Sequence, residues 1–135
     1  MFRRRGRSPV EPPGIAKARQ RLGRLLDSAT GVVAADVDGE EVEYKILNAE
    51  ALPKAQIGYA TNGLTGESLV GSDDGDWRST WLTIGTDRLC GDPLIVDLAD
   101  PAFPVFTAPH GAGGWWPEQL SPSLTAFLAS VRRIK

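Results

Sequence analysis

The 135-residue chain contains one cysteine and one histidine, and both scarcities exclude chemistry. A lone Cys90 rules out an intramolecular disulfide and a cysteine-based zinc cluster, and it fits a reducing, cytoplasmic compartment. No apolar run approaches the roughly 18–20 residues that cross a bilayer, so no membrane association is expected. The start, Met1-Phe2-Arg3-Arg4-Arg5, leads into Gly, Ser and Pro instead of the apolar stretch of a signal peptide. Pro9, Pro12, Pro13 and Gly14 break the amphipathic helix that an organellar targeting peptide needs. There is no P-loop lysine after any glycine run, and the glycines of 111–114 do not complete G-x-G-x-x-G because Trp116 occupies the last place. No nucleotide, other cofactor or metal is expected.

What the chain does have is ordinary globular composition, 41% hydrophobic and 24% charged, enough to bury a core in one domain. Fifteen glycines and ten prolines imply many turns and favour an α+β chain over a helical bundle. The net charge of −2 conceals a partition by sign. Residues 1–24 hold eight basic residues against Glu11 alone, whereas residues 25–131 hold four, Lys45, Lys54, Arg78 and Arg88, against sixteen acids. Arg132, Arg133 and Lys135 make the end basic again. An acidic body repels nucleic acid and steers the protein toward basic partners.

Residues 1–13 read as a flexible basic arm, since they hold too little apolar surface to offset the entropy of ordering. A single domain is expected over residues 14–135. Ile15, Ala18, Leu22, Leu25, Leu26 and Ala29 share one face of a 3.6-residue period, with Lys17, Arg21 and Arg24 opposite, which predicts an amphipathic helix ending before Gly31. The period then becomes two: Val42, Tyr44 and Ile46 alternate with Glu41, Glu43 and Lys45, a strand wet on one face. Residues 56–60 are a weaker strand candidate, closed by Asn62-Gly63. Residues 79–84 are β-rich, and the apolar runs 93–98 and 103–107 suit strands covered on both faces, paired as a hairpin around Asp100-Pro101. At the end, Ser121 as cap, Pro122 at the first helical position and the stripe Leu124, Phe127, Leu128 and Val131 predict a helix with Arg132, Arg133 and Lys135 at its C-terminal dipole. The pattern is a sheet with helices packed on one side.

Chemistry-bearing residues are few. Cys90 or Ser68 with His110 could in principle form a hydrolytic set, but Gly66-Glu67-Ser68-Leu69-Val70-Gly71 lacks the glycine two residues after serine that a nucleophile elbow needs. His110, in Pro109-His110-Gly111, reads as a structural histidine bonding loop backbone. The acidic stretches 36–40 and 72–76 do not place a glutamate at the twelfth position of a calcium loop and read as solvated turns. The arm and the basic helix face could bind nucleic acid weakly and nonspecifically. Trp77, Trp81, Trp115 and Trp116 fall in two short segments. Adjacent Trp115 and Trp116 cannot both point inward from a strand, so one is expected at the surface, or a tryptophan folds over the last helix.

Trp81-Leu82-Thr83-Ile84-Gly85-Thr86-Asp87, then Gly91-Asp92-Pro93-Leu94-Ile95-Val96-Asp97, then Pro104-Val105-Phe106 with His110-Gly111 and a closing amphipathic helix, resemble the SUKH superfamily over about residues 77–131. Leu52-Pro53, Tyr59 and Asn62-Gly63 echo imperfectly the helical segment that follows the family's first helix. The family includes fungal cell-wall-assembly regulators and bacterial immunity proteins of toxin–antitoxin type that neutralise secreted toxins, often nucleases. The resemblance implies an α+β fold with a mostly antiparallel central sheet, and binding without catalysis. It supplies no catalytic residues to transfer. The resulting expectation is a non-enzymatic bacterial protein-binding module occluding a basic toxin domain, with a regulatory scaffold for a cellular protein as the alternative. Its partner surface is placed at Asp73, Asp74, Asp76, Trp77, Trp115 and Trp116, because acids speed encounter with a cation and tryptophan supplies anchor area.

Overall fold

A computed structural model describes residues 15–111 and 113–134. The expected arm at 1–13, the boundary at Gly14, and Lys135 lie outside the described residues. The first helical stripe forms helix α1 (Ile15–Ala29), and Leu22 and Leu26 are fully buried. Lys17, Arg19, Arg21 and Arg24 are exposed.

The alternating segment is strand β2 (Glu40–Ile46), and a strand not legible by period precedes it, β1 (Gly31–Val37). Three consecutive buried residues, Val33, Ala34 and Ala35, erase the alternation that would have marked β1. The two pair antiparallel, with Gly31 opposite Ile46 and Val37 opposite Glu40. Asp38 and Gly39 both take positive φ, 52° and 84°, the backbone a tight hairpin turn requires. The Asp36 carboxylate accepts the Gly39 N–H at 2.9 Å, so the acidic stretch 36–40 is a turn.

Strands β3 (Trp81–Asp87), β4 (Pro93–Asp97), β5 (Val105–Thr107) and β6 (Glu118–Ser121) follow. All neighbours in the seven-stranded sheet are antiparallel, in the order β6-β5-β4-β3-β2-β1-β7. The protein is therefore α+β, with a meander of six strands and helices packed on the sheet.

Three expectations are corrected. Residues 56–60 are no strand: Asn48 caps a 3₁₀ turn (Ala49–Ala51) by accepting from the Ala51 N–H at 3.0 Å, and Leu52-Pro53 begins the one-turn helix α2 (Leu52–Ala55), so the chain enters residue 56 already coiled. Ser121 is not a helix cap, because its backbone is engaged opposite Val105 at the end of β6. Ser123 caps instead, its hydroxyl accepting from the Ala126 N–H at 3.0 Å, and helix α3 runs Leu124–Ser130. Arg132 and Arg133 are not in the last helical turn either. Val131 is extended, and the pair forms β7 (Arg132–Arg133) beside β1, with Arg132 bonded to Glu41 and Arg133 donating to the Thr30 carbonyl at 3.0 Å.

The sheet has two covered faces. Leu82, Ile84, Leu94, Val96 and Val105 meet Leu22 and Leu26 of α1, Leu52 of α2, and Leu124 and Phe127 of α3 in the main core. Ile95 points the opposite way, as strand alternation requires, and packs with Trp77 and Ala108 in a second core flanked by Trp81 and Phe106. Tyr44 lies in the main core against Phe127, ring centroids 6.2 Å apart. Burial pushes its phenol up to about 12, aided by the carboxylates of Asp87 and Asp92. The unfolded tyrosine ionises near pH ~10 while the folded one keeps its proton, so this contribution is complete below that pH and declines as pH rises toward 12. Tyr44→Phe is expected to flatten that part of the pH–stability curve in urea titrations. An unchanged alkaline decline in the variant would refute it.

One side chain completes the sheet. Pairing of β2 with β3 ends at Ile46 opposite Gly85, followed by a Leu47 N–H bond to Ile84. Thr83, fully buried, would then lack a partner on that side. The Gln56 amide fills the gap: its oxygen accepts the Thr83 N–H at 2.9 Å, and its nitrogen donates to the Thr83 carbonyl at 3.0 Å. Gln56→Leu should cost about 1–3 kcal/mol for each backbone group left unpaired. A loss below about 1 kcal/mol in equilibrium denaturation would mean that water replaces the amide.

Candidate functional site

Covering the second face of the sheet falls to irregular chain between α2 and β3 and to the segment between β5 and β6. Trp77 is the centre of that cover. It is 0% exposed, with ring centroids 6.1 Å from Tyr59, 5.4 Å from Trp81 and 5.3 Å from Trp115. Its backbone ties down the chain before it, donating to the Leu69 carbonyl at 3.2 Å and accepting from the Gly71 N–H at 2.9 Å. The Tyr59 hydroxyl donates to the Gly91 carbonyl at 2.7 Å, which links this cover to the β3–β4 turn. Burial, reinforced by Asp92, raises the Tyr59 phenol above its ordinary value.

The acidic stretch 72–76 is a turn held by its own groups. The Asp76 carboxylate accepts the Asp73 N–H at 3.0 Å, and the Asp76 N–H donates to the Asp73 carbonyl at 3.1 Å. Asp73 and Asp74 are exposed and Asp76 half-buried. This turn is bolted to the tryptophan segment through the Trp115 N–H, which donates to the Gly75 carbonyl at 2.8 Å. Gly75 has φ of +86°, and a Cβ there would come within 3.2 Å of the Trp116 ring. The turn and the ring therefore share one surface, with Trp116 53% exposed.

Of the expected partner residues, Asp73, Asp74, Asp76, Trp115 and Trp116 are brought together here. Trp77 is too, but facing inward. Buried under the loop, it cannot touch a partner and acts on this surface only by holding the 69–77 chain in place. The tryptophans cover the sheet face opposite α3 and do not fold over that helix. Sequence reading missed Leu69 and Gly114, which frame the same surface; only the large apolar residue beside the acidic turn and the glycine run before Trp115 hinted at them.

The other chemistry-bearing residues sit apart from this surface or serve its loops. The His110 ring nitrogen Nδ1 lies 2.6 Å from the Asp92 carboxylate, which also accepts the His110 N–H at 3.1 Å. The histidine thus bonds a side-chain carboxylate, where backbone was expected. The Ser68 hydroxyl accepts the Val70 N–H at 3.2 Å. Among the described residues no hydrogen bond joins His110 to Ser68 or Cys90. Cys90 is exposed in a groove of about 590 Å³ lined by Glu40, Glu41, Glu43 and Asp87, where Arg88 pairs with Glu43 at 2.9 Å. No group of three or more histidine, cysteine or carboxylate side chains among the described residues could hold a metal, and none of their helices is long and apolar enough to cross a membrane.

Acids outnumber bases at one end of the meander. The β1–β2 turn, the β3–β4 turn and the β5–β6 connection lie at one end of the meander and carry Asp36, Asp38, Glu40, Asp87 and Asp92, with the acidic turn 72–76 tied to that connection. The β4–β5 turn lies at the other end and carries Asp97 and Asp100; there Arg21 of the basic helix donates to the Pro101 carbonyl at 2.6 Å and stacks 4.5 Å from the Phe103 ring centre.

Comparison with known proteins finds no matching family model, no similar curated protein and no similar solved structure.

Proposed function

We propose that the protein is a non-enzymatic binding module that occludes a cationic protein domain, acting as an immunity protein against a toxin in the bacterial cytoplasm. The observation that carries this reading is the junction of the exposed Asp73 and Asp74 carboxylates with the half-exposed Trp116 ring on one glycine-supported surface. Carboxylates at the rim accelerate encounter with a positive surface, and a tryptophan beside them supplies desolvated area that slows escape. The resemblance of residues 77–131 to the SUKH superfamily supports the immunity role. The acidic end of the meander disfavours nucleic acid at this surface.

The test is affinity capture from the source cells with three baits: wild type, the double variant Asp73→Lys with Asp74→Lys, and Trp116→Ala. A cationic toxin domain held by wild type should associate more slowly, and with less salt dependence, with the lysine variant. It should dissociate faster from Trp116→Ala, by about 2 kcal/mol or roughly 30-fold. A cognate partner indifferent to both changes would refute this surface. Tighter retention of duplex DNA than of any protein would favour the basic face of α1 instead.

A further inference from the structure

Beside the Trp116 ring lies a pocket of about 300 Å³ between Leu69, Gly75, Asp76, Gly114 and Trp115. At this size it sits at the small end of ligand cavities, suited to one side chain and not to a cofactor. Its walls differ in kind. Trp115 and Leu69 are apolar, the glycines leave backbone without side chains, and Asp76 is the charged group in the lining. One Asp76 oxygen, Oδ2, is engaged by the Asp73 N–H; Oδ1 makes no hydrogen bond among the described residues. The carboxylate occupies space that Gly71 leaves open, since a Cβ on Gly71 would collide with it.

Resting on the binding role above, we infer that this pocket receives an arginine side chain of the partner. A guanidinium combines a flat face for an aromatic wall with N–H donors for a carboxylate. Asp76 supplies the charge, Trp115 the wall, and Asp73 and Asp74 at the adjacent rim favour approach of a cation. The half-buried setting screens the pair less than open solvent would.

The test is a titration of the ¹⁵N-labelled chain with N-acetyl-arginine amide, against the neutral isostere N-acetyl-citrulline amide and N-acetyl-lysine amide. Saturable shifts are expected at the Gly75, Asp76, Gly114 and Trp115 amides and the Trp115 indole, with citrulline and lysine at least fivefold weaker. Asp76→Asn keeps an oxygen for the Asp73 N–H but loses the charge, and should weaken arginine at least fivefold with the fold intact. Gly71→Ala retains the charge and displaces the carboxylate, so a similar loss is expected. Equal binding of citrulline or lysine, or wild-type binding by Asp76→Asn, would overturn the assignment. If arginine leaves no shifts while Trp116→Ala still releases the partner, only the pocket is wrong. If arginine binds while partner release ignores Trp116 and Asp73, the wider surface is wrong.

Discussion

Trp77→Ala is expected to lower unfolding free energy by about 3–5 kcal/mol, a large share of the ~5–15 kcal/mol that holds a domain of this size. The indole is wholly buried among Tyr59, Trp81 and Trp115, and its removal leaves a cavity on the second sheet face. The loss should not be confined to stability. Because Trp77 anchors the chain at Leu69 and Gly71, faster amide exchange is expected at Gly71 and Trp115 under native conditions. A contrasting variant isolates packing from polarity. The Trp77 Nε1–H is buried without a hydrogen-bond partner in the described structure, so Trp77→Phe removes an unsatisfied donor along with some area. It should therefore lose markedly less than Trp77→Ala. Denaturation midpoints that coincide for wild type and Trp77→Ala would show that the second core contributes nothing.

Phe127→Ala carries the second large expectation, again about 3–5 kcal/mol. Helix α3 has seven residues, far below the length at which an isolated helix persists in water, so its order comes from burial of Leu124 and Phe127 and from the Ser123 cap. Phe127 also meets Tyr44 edge-on across the core. Losing the ring should loosen α3 and with it β7, and the Ile134 N–H, bonded to the Val32 carbonyl at 2.9 Å, should exchange faster. A loss under ~1 kcal/mol would mean that this stripe is not what holds the helix to the sheet.

Much of the architecture was legible. The 3.6-residue stripe of α1, the alternation of β2 and the apolar runs of β4 and β5 each follow from which faces are buried. What stayed hidden has physical causes. In β1, burial on consecutive residues erased the period. Near residue 56, capping by Asn48 and the following proline redirected a short apolar stretch into helical turns. At the end of the chain, pairing of Arg132 and Arg133 with β1 overrode a helical pattern that local charge would have extended. The inward turn of Trp77 was implied by the sequence in a different place. The continuous run Leu94-Ile95-Val96 demands cover on both faces, and one face is served by the helices. The tryptophans supply the remainder. The meeting of the acidic turn with Trp116 depends on a close approach between Gly75 and the Gly114–Trp115 backbone, which no local pattern encodes.

The place of β7 sets an order of assembly. Every other strand pairing joins neighbours in sequence, so each forms by closing a comparatively short loop. The β1–β7 ladder alone joins residues about a hundred positions apart, Ala34 with Arg132 and Val33 with Arg133. Its closure entropy is the largest in the sheet, and two paired residues return little until the meander already holds both ends close. During synthesis, β7 also leaves the ribosome after the six strands of the meander. The β1–β7 seam is therefore expected to close on a meander that has already formed.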